Sequence, residues 1–165
     1  MSSPDFLLRI LLIGAGATLV TDLWALLRRA AFGIPSLDYA LVGRWLGHMM
    51  RGRFRHASIV AASPVPGERV VGWIAHYAIG IAFGVLPVAV AGTEWIAAPT
   101  LGPALVAGLV SVAAPFLVMQ PAFGFGIAAS RTPQPGTARR RSIVTHLVFG
   151  TGLYLAAFGL AALGR

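Results

Sequence analysis

The sequence predicts an all-α membrane protein, a four-transmembrane-helix bundle with an amphipathic cytoplasmic interfacial helix, and three observations carry that prediction. Hydrophobic residues make up 57% of the 165 positions and charged residues 11%, with a mean hydropathy of +0.79. That is more apolar surface than a water-soluble core of this length hides. Four apolar stretches reach the ~20 residues needed to cross a hydrocarbon layer roughly 30 Å thick. Small residues recur inside them at four-residue spacing, as closely packed membrane helices require. Residues 1–165 read as a single integral membrane domain.

The spans are expected at Phe6–Leu27, Val70–Ala91, Pro99–Gln120 and Ser142–Leu163, with cytoplasmic connections at 28–69 and 121–141. The third span is interrupted by Pro103, Pro115 and Pro121, each of which removes a backbone donor and frees a carbonyl. A kinked helix and one that unwinds after Gln120 into AFGFGIAAS both fit.

Arginine placement sets the orientation. Arg28, Arg29, Arg44, Arg51, Arg53, Arg55 and Arg69 lie in or beside the first connection, Arg131 and Arg139 to Arg141 lie in the third, and GTEWIAAP between the second and third spans has none. The positive-inside rule then puts the first and third connections in the cytoplasm and both termini outside, with Trp95 at the outer interface. Arg9 and Arg165 run against the trend. The formal charge of +8, from thirteen arginines and no lysine, therefore encodes topology and not a nucleic-acid partner. No basic residue precedes Phe6, so the first span reads as a retained anchor and not a cleaved signal, although the GAGA run at Gly14–Ala17 suits cleavage.

Asp22, His76 and His146 are ionisable groups within these spans, and such groups mark function by default. Gly72, His76, Gly80 and Gly84 fall on one helix face, as do Ser142, His146, Gly150 and Tyr154, and nearly so Gly14, Thr18, Asp22 and Ala25. These seams predict close helix contacts with polar atoms inward and leucine, valine and phenylalanine toward lipid. Counted from Arg28, Arg69 and Arg141 at 1.5 Å per residue, the three groups lie roughly 7 to 11 Å below the cytoplasmic boundary. The polar intramembrane cluster is therefore expected to comprise Asp22, His76, His146, Gln120 and Thr18. The second and fourth spans share Pro-Gly, a basic residue and HxxxG, which parallel repeats would explain; the first and third do not support a duplication.

In the first connection Ser36 is placed to cap a helix with Leu37, Leu41, Trp45 and Met49 on one face and Arg44, His48, Arg51 and Arg55 on the other. Arg44, Arg51, Arg53 and Arg55 are candidate contacts for anionic lipid headgroups or a phosphorylated ligand. Plain topological charge explains the same residues.

Several segments resemble a bacterial inner-membrane family, domain-of-unknown-function family 2938: GIPSLDYALVGRWLGHM at Gly33–Met49, GW..HY..G from Gly72 to Gly80, PFLVMQPAFGFGIAASRTP at Pro115–Pro133 and THLVFGTGLY at Thr145–Tyr154. The resemblance implies a small multi-pass protein of a bacterial inner membrane and no particular activity or cofactor.

Four functional classes remain. Proton-linked transport or an ion pathway would use Asp22 as the charged partner and the histidines as titrating groups, in a homo-oligomer because four spans are few for a transporter. A haem or divalent-metal protein would use His76 and His146 as ligands, with Asp22 as a third for a metal ion. A non-catalytic accessory or assembly protein would use the same groups as interhelical hydrogen bonds. A hydrolase finds no GxSxG, HExxH or GxxxxGK[ST] motif, and Ser142 has no acidic partner in view, so no catalytic residue is assigned. Without cysteine, disulfides and thiolate chemistry are excluded.

Overall fold

In the computed structural model, which describes residues 2–163, 73% of the chain is helix and no strand forms among the described residues. Arg165 lies outside them. The helices are α1 (Ser3–Phe32), α2 (Ala40–Met49), α3 (Glu68–Phe83), α4 (Leu86–Ala91), α5 (Leu101–Ser111), the three-residue α6 (Gln120–Ala122) and α7 (Pro135–Leu163). Four helical stretches, Ser3–Phe32, Glu68–Ala91, Leu101–Ala122 and Pro135–Leu163, are long and apolar enough to cross a membrane.

Helix ends follow local chemistry. Ser2 caps α1 by accepting from Asp5 N–H at 3.4 Å, with Pro4 in the first turn. Gly33 closes it at φ 64°, its N–H on Arg29 O, and Ile34 N–H reaches Arg28 O. α1 therefore carries Arg28 and Arg29 inside its last turns, where the sequence reading had ended the span at Leu27. Arg139 to Arg141 likewise lie within α7, which begins at Pro135.

The proline interruptions have distinct outcomes. Pro87 has no N–H for Phe83 O, so the second span breaks at Gly84–Val85 and resumes as α4. Pro115 opens a π-helical stretch, Pro115–Met119, whose last carbonyl bond runs from Gln120 N–H to Pro115 O. The helix ends at Ala122, and Phe125 N–H turns back onto Gln120 O at 2.8 Å. The third span thus both kinks and unwinds.

The chain gathers into two compact units, one from Tyr77–Ser111 with the described parts of Met1–Ser36 and Thr145–Arg165, the other from Leu37–His76 and Val112–Val144. In the first unit, a Cβ on Gly14 would strike Ile81 and Gly80, and one on Gly80 would strike Thr18 Oγ1, so α1 and the 77–84 segment run antiparallel in close contact. Gly152 meets Ala17 and Gly16 meets Ala156, which seats α7 on α1; Gly108 meets the His146 carbonyl and Gly150, which seats α5 on α7. Ile13, Ala17, Ala104, Ala107, Leu153 and Ala157 are sealed between these helices, while Leu8, Leu12, Leu19, Leu23 and Leu27 face outward. Trp95, expected as an interface anchor, is instead in this core at 3% exposure, its indole N–H on Thr100 O.

The second unit has its own core of Val42, Ile59, Ala122 and Phe123, flanked by Tyr39, Leu41, Trp45 and Met119. His56 N–H bonds Ala122 O and Ile59 N–H bonds Phe123 O, joining the first connection to the end of the third span. Gly124, at φ 89°, lies so close to Ala57 O that no side chain fits there. Beyond it Ala128 and Ala129 both adopt left-handed backbone, at φ 47° and 58°, costing roughly 1–2 kcal/mol each. Arg139 Nε donates to Ala128 O and Thr132 Oγ1 to Ala129 O, which hold the turn.

α2 begins at Ala40. Ser36 does not cap it; Asp38 Oδ1 accepts from Ala40 N–H instead. Of the expected polar face, Arg44 and His48 turn into the second unit, where they pair with Glu68 and Ser63 O, while Arg51 and Arg55 stay exposed.

Candidate functional site: a polar layer in the first unit

Two hydrogen-bonded pairs hold the polar residues of the first unit. Tyr77 OH donates to Asp22 Oδ2 at 3.0 Å, linking α3 to α1. Ser111 Oγ lies 2.7 Å from His146 Nδ1, linking α5 to α7, and also 2.7 Å from Gly108 O. The close approaches at Gly14, Gly80, Gly108 and Gly150 place these side chains within reach of one another.

Helix register puts both pairs at one level. α1 and α7 are antiparallel, with Ala17 and Val20 against Gly152 and Gly16 against Ala156, so residue 22 stands opposite the 147–150 turn, the one that follows His146. At 1.5 Å per residue the offset between the pairs is about 2–6 Å along the helices, within one helical turn. Each of the four helical stretches contributes one member to the layer.

The serine hydroxyl has one hydrogen and two acceptors in reach. With that hydrogen on Gly108 O, His146 Nδ1 carries a proton and donates to Ser111 Oγ, leaving Nε2 basic; with the hydroxyl turned to Nδ1, the ring holds its proton on Nε2. Rotation of one hydroxyl thus goes with exchange of the histidine tautomer. Thr18 is buried at 1% exposure, and its Oγ1 returns to Gly14 O at 2.8 Å, the usual back-bond of a helix threonine.

His76 and Gln120 belong to the second unit. The His76 ring stacks on Tyr39 with centroids 3.9 Å apart and meets Trp73 edge-on at 5.7 Å. Gln120 Nε2 donates to Ser142 Oγ at 3.4 Å, while its buried Oε1 has no hydrogen-bond partner among the described residues. No group of three or more His, Asp and Glu side chains able to hold a metal ion occurs among the described residues, so Asp22, His76 and His146 do not form the three-ligand set considered from sequence.

The remaining predicted residues split. Arg44 is bound bidentately by Glu68, Nε to Oε2 at 2.9 Å and Nη2 to Oε1 at 2.8 Å, and its Nη1 faces the carbonyls of Ile59, Val60 and Ala62. The Glu68 carboxylate holds the guanidinium pKa above its ordinary value. Arg44 is therefore a structural strut and not a headgroup contact. Arg51, Arg53 and Arg55 are exposed. His48 Nε2 bonds Ser63 O at 2.9 Å, and His56 packs edge-on against His48 with neither ring nitrogen partnered among the described residues. Burial, then the nearby Arg53 and His48, holds the His56 imidazole below its ordinary pKa.

Sequence reasoning found Asp22 and His146 but missed Tyr77 and Ser111. Ser111 lies three residues after Gly108 on a face of small residues, and that spacing was the available signal.

An all-helical chain with four membrane-length helices and a polar layer within its apolar helices is a multi-pass membrane-type protein. The family model described as "Protein of unknown function (DUF2938)" matches residues 11–160, and the chain belongs to that family. No curated protein and no solved structure matches it.

Proposed function

We propose that the protein is a component of a proton-linked transport system or ion pathway in a cytoplasmic membrane, with Asp22 and His146 as its proton-exchanging groups. The observation that carries this reading is the layer itself: a carboxylate with a tyrosine hydroxyl, and an imidazole with a serine hydroxyl, at one level of four apolar helices. Tyr77 and Ser111 act as relays, because each hydroxyl both donates and accepts. The arginine asymmetry supports cytoplasmic first and third connections with both termini outside. Four spans enclose little space, so the pathway lies in a homo-oligomer. A metal reading gains no support from this arrangement, since no group of three or more His, Asp and Glu side chains able to hold a metal ion occurs among the described residues.

Proteoliposomes loaded with a pH-sensitive dye and given a potassium diffusion potential test the proposal. The wild-type protein is expected to admit protons faster than protein-free vesicles, Asp22→Asn and His146→Gln to fall to the protein-free rate, and Tyr77→Phe and Ser111→Ala to lie between. Equal rates for wild type and the Asp22→Asn/His146→Gln double variant, with both proteins folded, would leave the layer as plain helix packing.

A further inference from the structure

The turn after α2 exposes apolar and cationic side chains in alternation. Met50 is 89% exposed and Phe54 57%, interleaved with exposed Arg51, Arg53 and Arg55. The segment is pinned at both ends. Arg51 and Arg53 N–H bond His48 O, Gly52 N–H bonds Met49 O at φ 75°, Trp45 Nε1 donates to Phe54 O at 2.9 Å, and His56 N–H bonds Ala122 O. These bonds fix the turn on both sides of Met50 and Phe54, so it presents its two large apolar side chains by construction. The ion pairs Arg9–Asp5 and Arg44–Glu68 involve none of the three arginines, and no carboxylate among the described residues pairs with them.

We infer that Met50–Arg55 is a docking surface for anionic phospholipid headgroups, with Met50 and Phe54 entering the acyl boundary and Arg51, Arg53 and Arg55 contacting phosphates. The occupant follows from charge and context. The segment lies between two membrane-length helices, so the bilayer is the nearest anionic surface. Apolar side chains flanked by arginines match the interfacial layer, where burial of the former and phosphate contact by the latter add. Each arginine contributes about fivefold to partitioning, and the three together roughly a hundredfold. Arg44, taken up by Glu68, is not part of this surface. The surface lies in the second unit and stands or falls independently of proton movement through the first.

The chain has no cysteine, so Met50→Cys and Phe54→Cys each give a single site for a nitroxide label on the full-length protein. Accessibility to oxygen and to a neutral nickel chelate is then read in vesicles of phosphatidylcholine alone and of phosphatidylcholine with phosphatidylglycerol. The oxygen-to-nickel ratio is expected to rise several-fold at both positions when phosphatidylglycerol is present, and to return to the phosphatidylcholine value with Arg51→Gln, Arg53→Gln and Arg55→Gln combined. A ratio equal in the two lipids, or unmoved by the triple replacement, overturns the proposal. So does a label shielded from both quenchers in detergent, which assigns the surface to a protein partner.

Discussion

Arg44 reaches Glu68 through two parallel contacts of 2.9 and 2.8 Å and turns its remaining nitrogen onto three backbone carbonyls. The carboxylate is engaged on its other side as well, since Glu68 Oε2 accepts from Val65 N–H at 2.8 Å. The pair thereby ties α2, the 59–65 segment and the start of α3 into the second unit. Its two side chains are only 12% and 16% exposed, so solvent screens it weakly.

Removing either partner should therefore be costly. Arg44→Ala leaves the carboxylate half-buried and three carbonyls unpaired, and is expected to lower stability by about 2–4 kcal/mol. Arg44→Lys recovers only part, because an ammonium cannot make the fork and the carbonyl contacts together. Thermal unfolding of the detergent-solubilised protein checks both, and a double cycle with Glu68→Gln should show positive coupling of about 1–3 kcal/mol. Additive losses would reduce the pair to two independent contacts.

This strut also marks the limit of what the sequence discloses. The four spans are legible because hydropathy over ~20 residues is a summed signal, insensitive to any single side chain. The seams are legible because Gly14, Gly80, Gly84 and Gly150 recur at helical spacing and only small residues permit close backbones. Asp22 and His146 stand out by being ionisable in apolar runs. Arg44 does not, since its partner lies 24 residues away and an arginine near a span already has a sufficient explanation in topology. The packing of Ile59 on Phe123 is hidden for a similar reason: it joins two connections with no shared periodicity. His76 and Tyr77 are neighbours in sequence, but about 100° apart around α3, so the one on the expected seam went to Tyr39 and its neighbour to Asp22.

Two glycines in membrane-length helices should respond oppositely to the same replacement. A Cβ on Gly72 would collide with Tyr39 O, a backbone atom that cannot rotate away. Gly72→Ala is thus expected to cost about 1–3 kcal/mol by overpacking. Gly102, in the first turn of α5, has nothing within 4 Å of the added atom, so Gly102→Ala should be neutral or gain up to about 1 kcal/mol from reduced backbone freedom in the unfolded chain. Melting both variants in one detergent makes the comparison internal. Similar losses at the two positions would mean that the seam at Gly72 carries no special constraint.

His56 supplies a dependence on pH whose sign follows from its surroundings. Its ring is 5% exposed, both nitrogens lack partners among the described residues, and Arg53 and His48 stand near it. Facing it across the 122–123 contact are Ala122 and Phe123, which bring no charge. Burial, then Arg53 and His48, disfavours the imidazolium and outweighs the Ala122 backbone, which favours it, so the folded pKa lies below the ordinary 6.5. Above that value both folded and unfolded chains hold a neutral ring and His56 leaves stability unchanged. As pH falls through it, the unfolded chain takes up a proton that the folded chain refuses, and stability declines by at most about 1.4 kcal/mol per pH unit until the folded pKa is reached. His56→Leu removes the titration while keeping an apolar side chain against Phe123. Denaturant midpoints should then be flatter for the variant than for wild type between about pH 6.5 and 5, an interval that lies above the titration of ordinary carboxylates. Parallel profiles for the two proteins would mean that His56 is protonated as readily in the fold as outside it, and that some other group sets the acid sensitivity of the second unit.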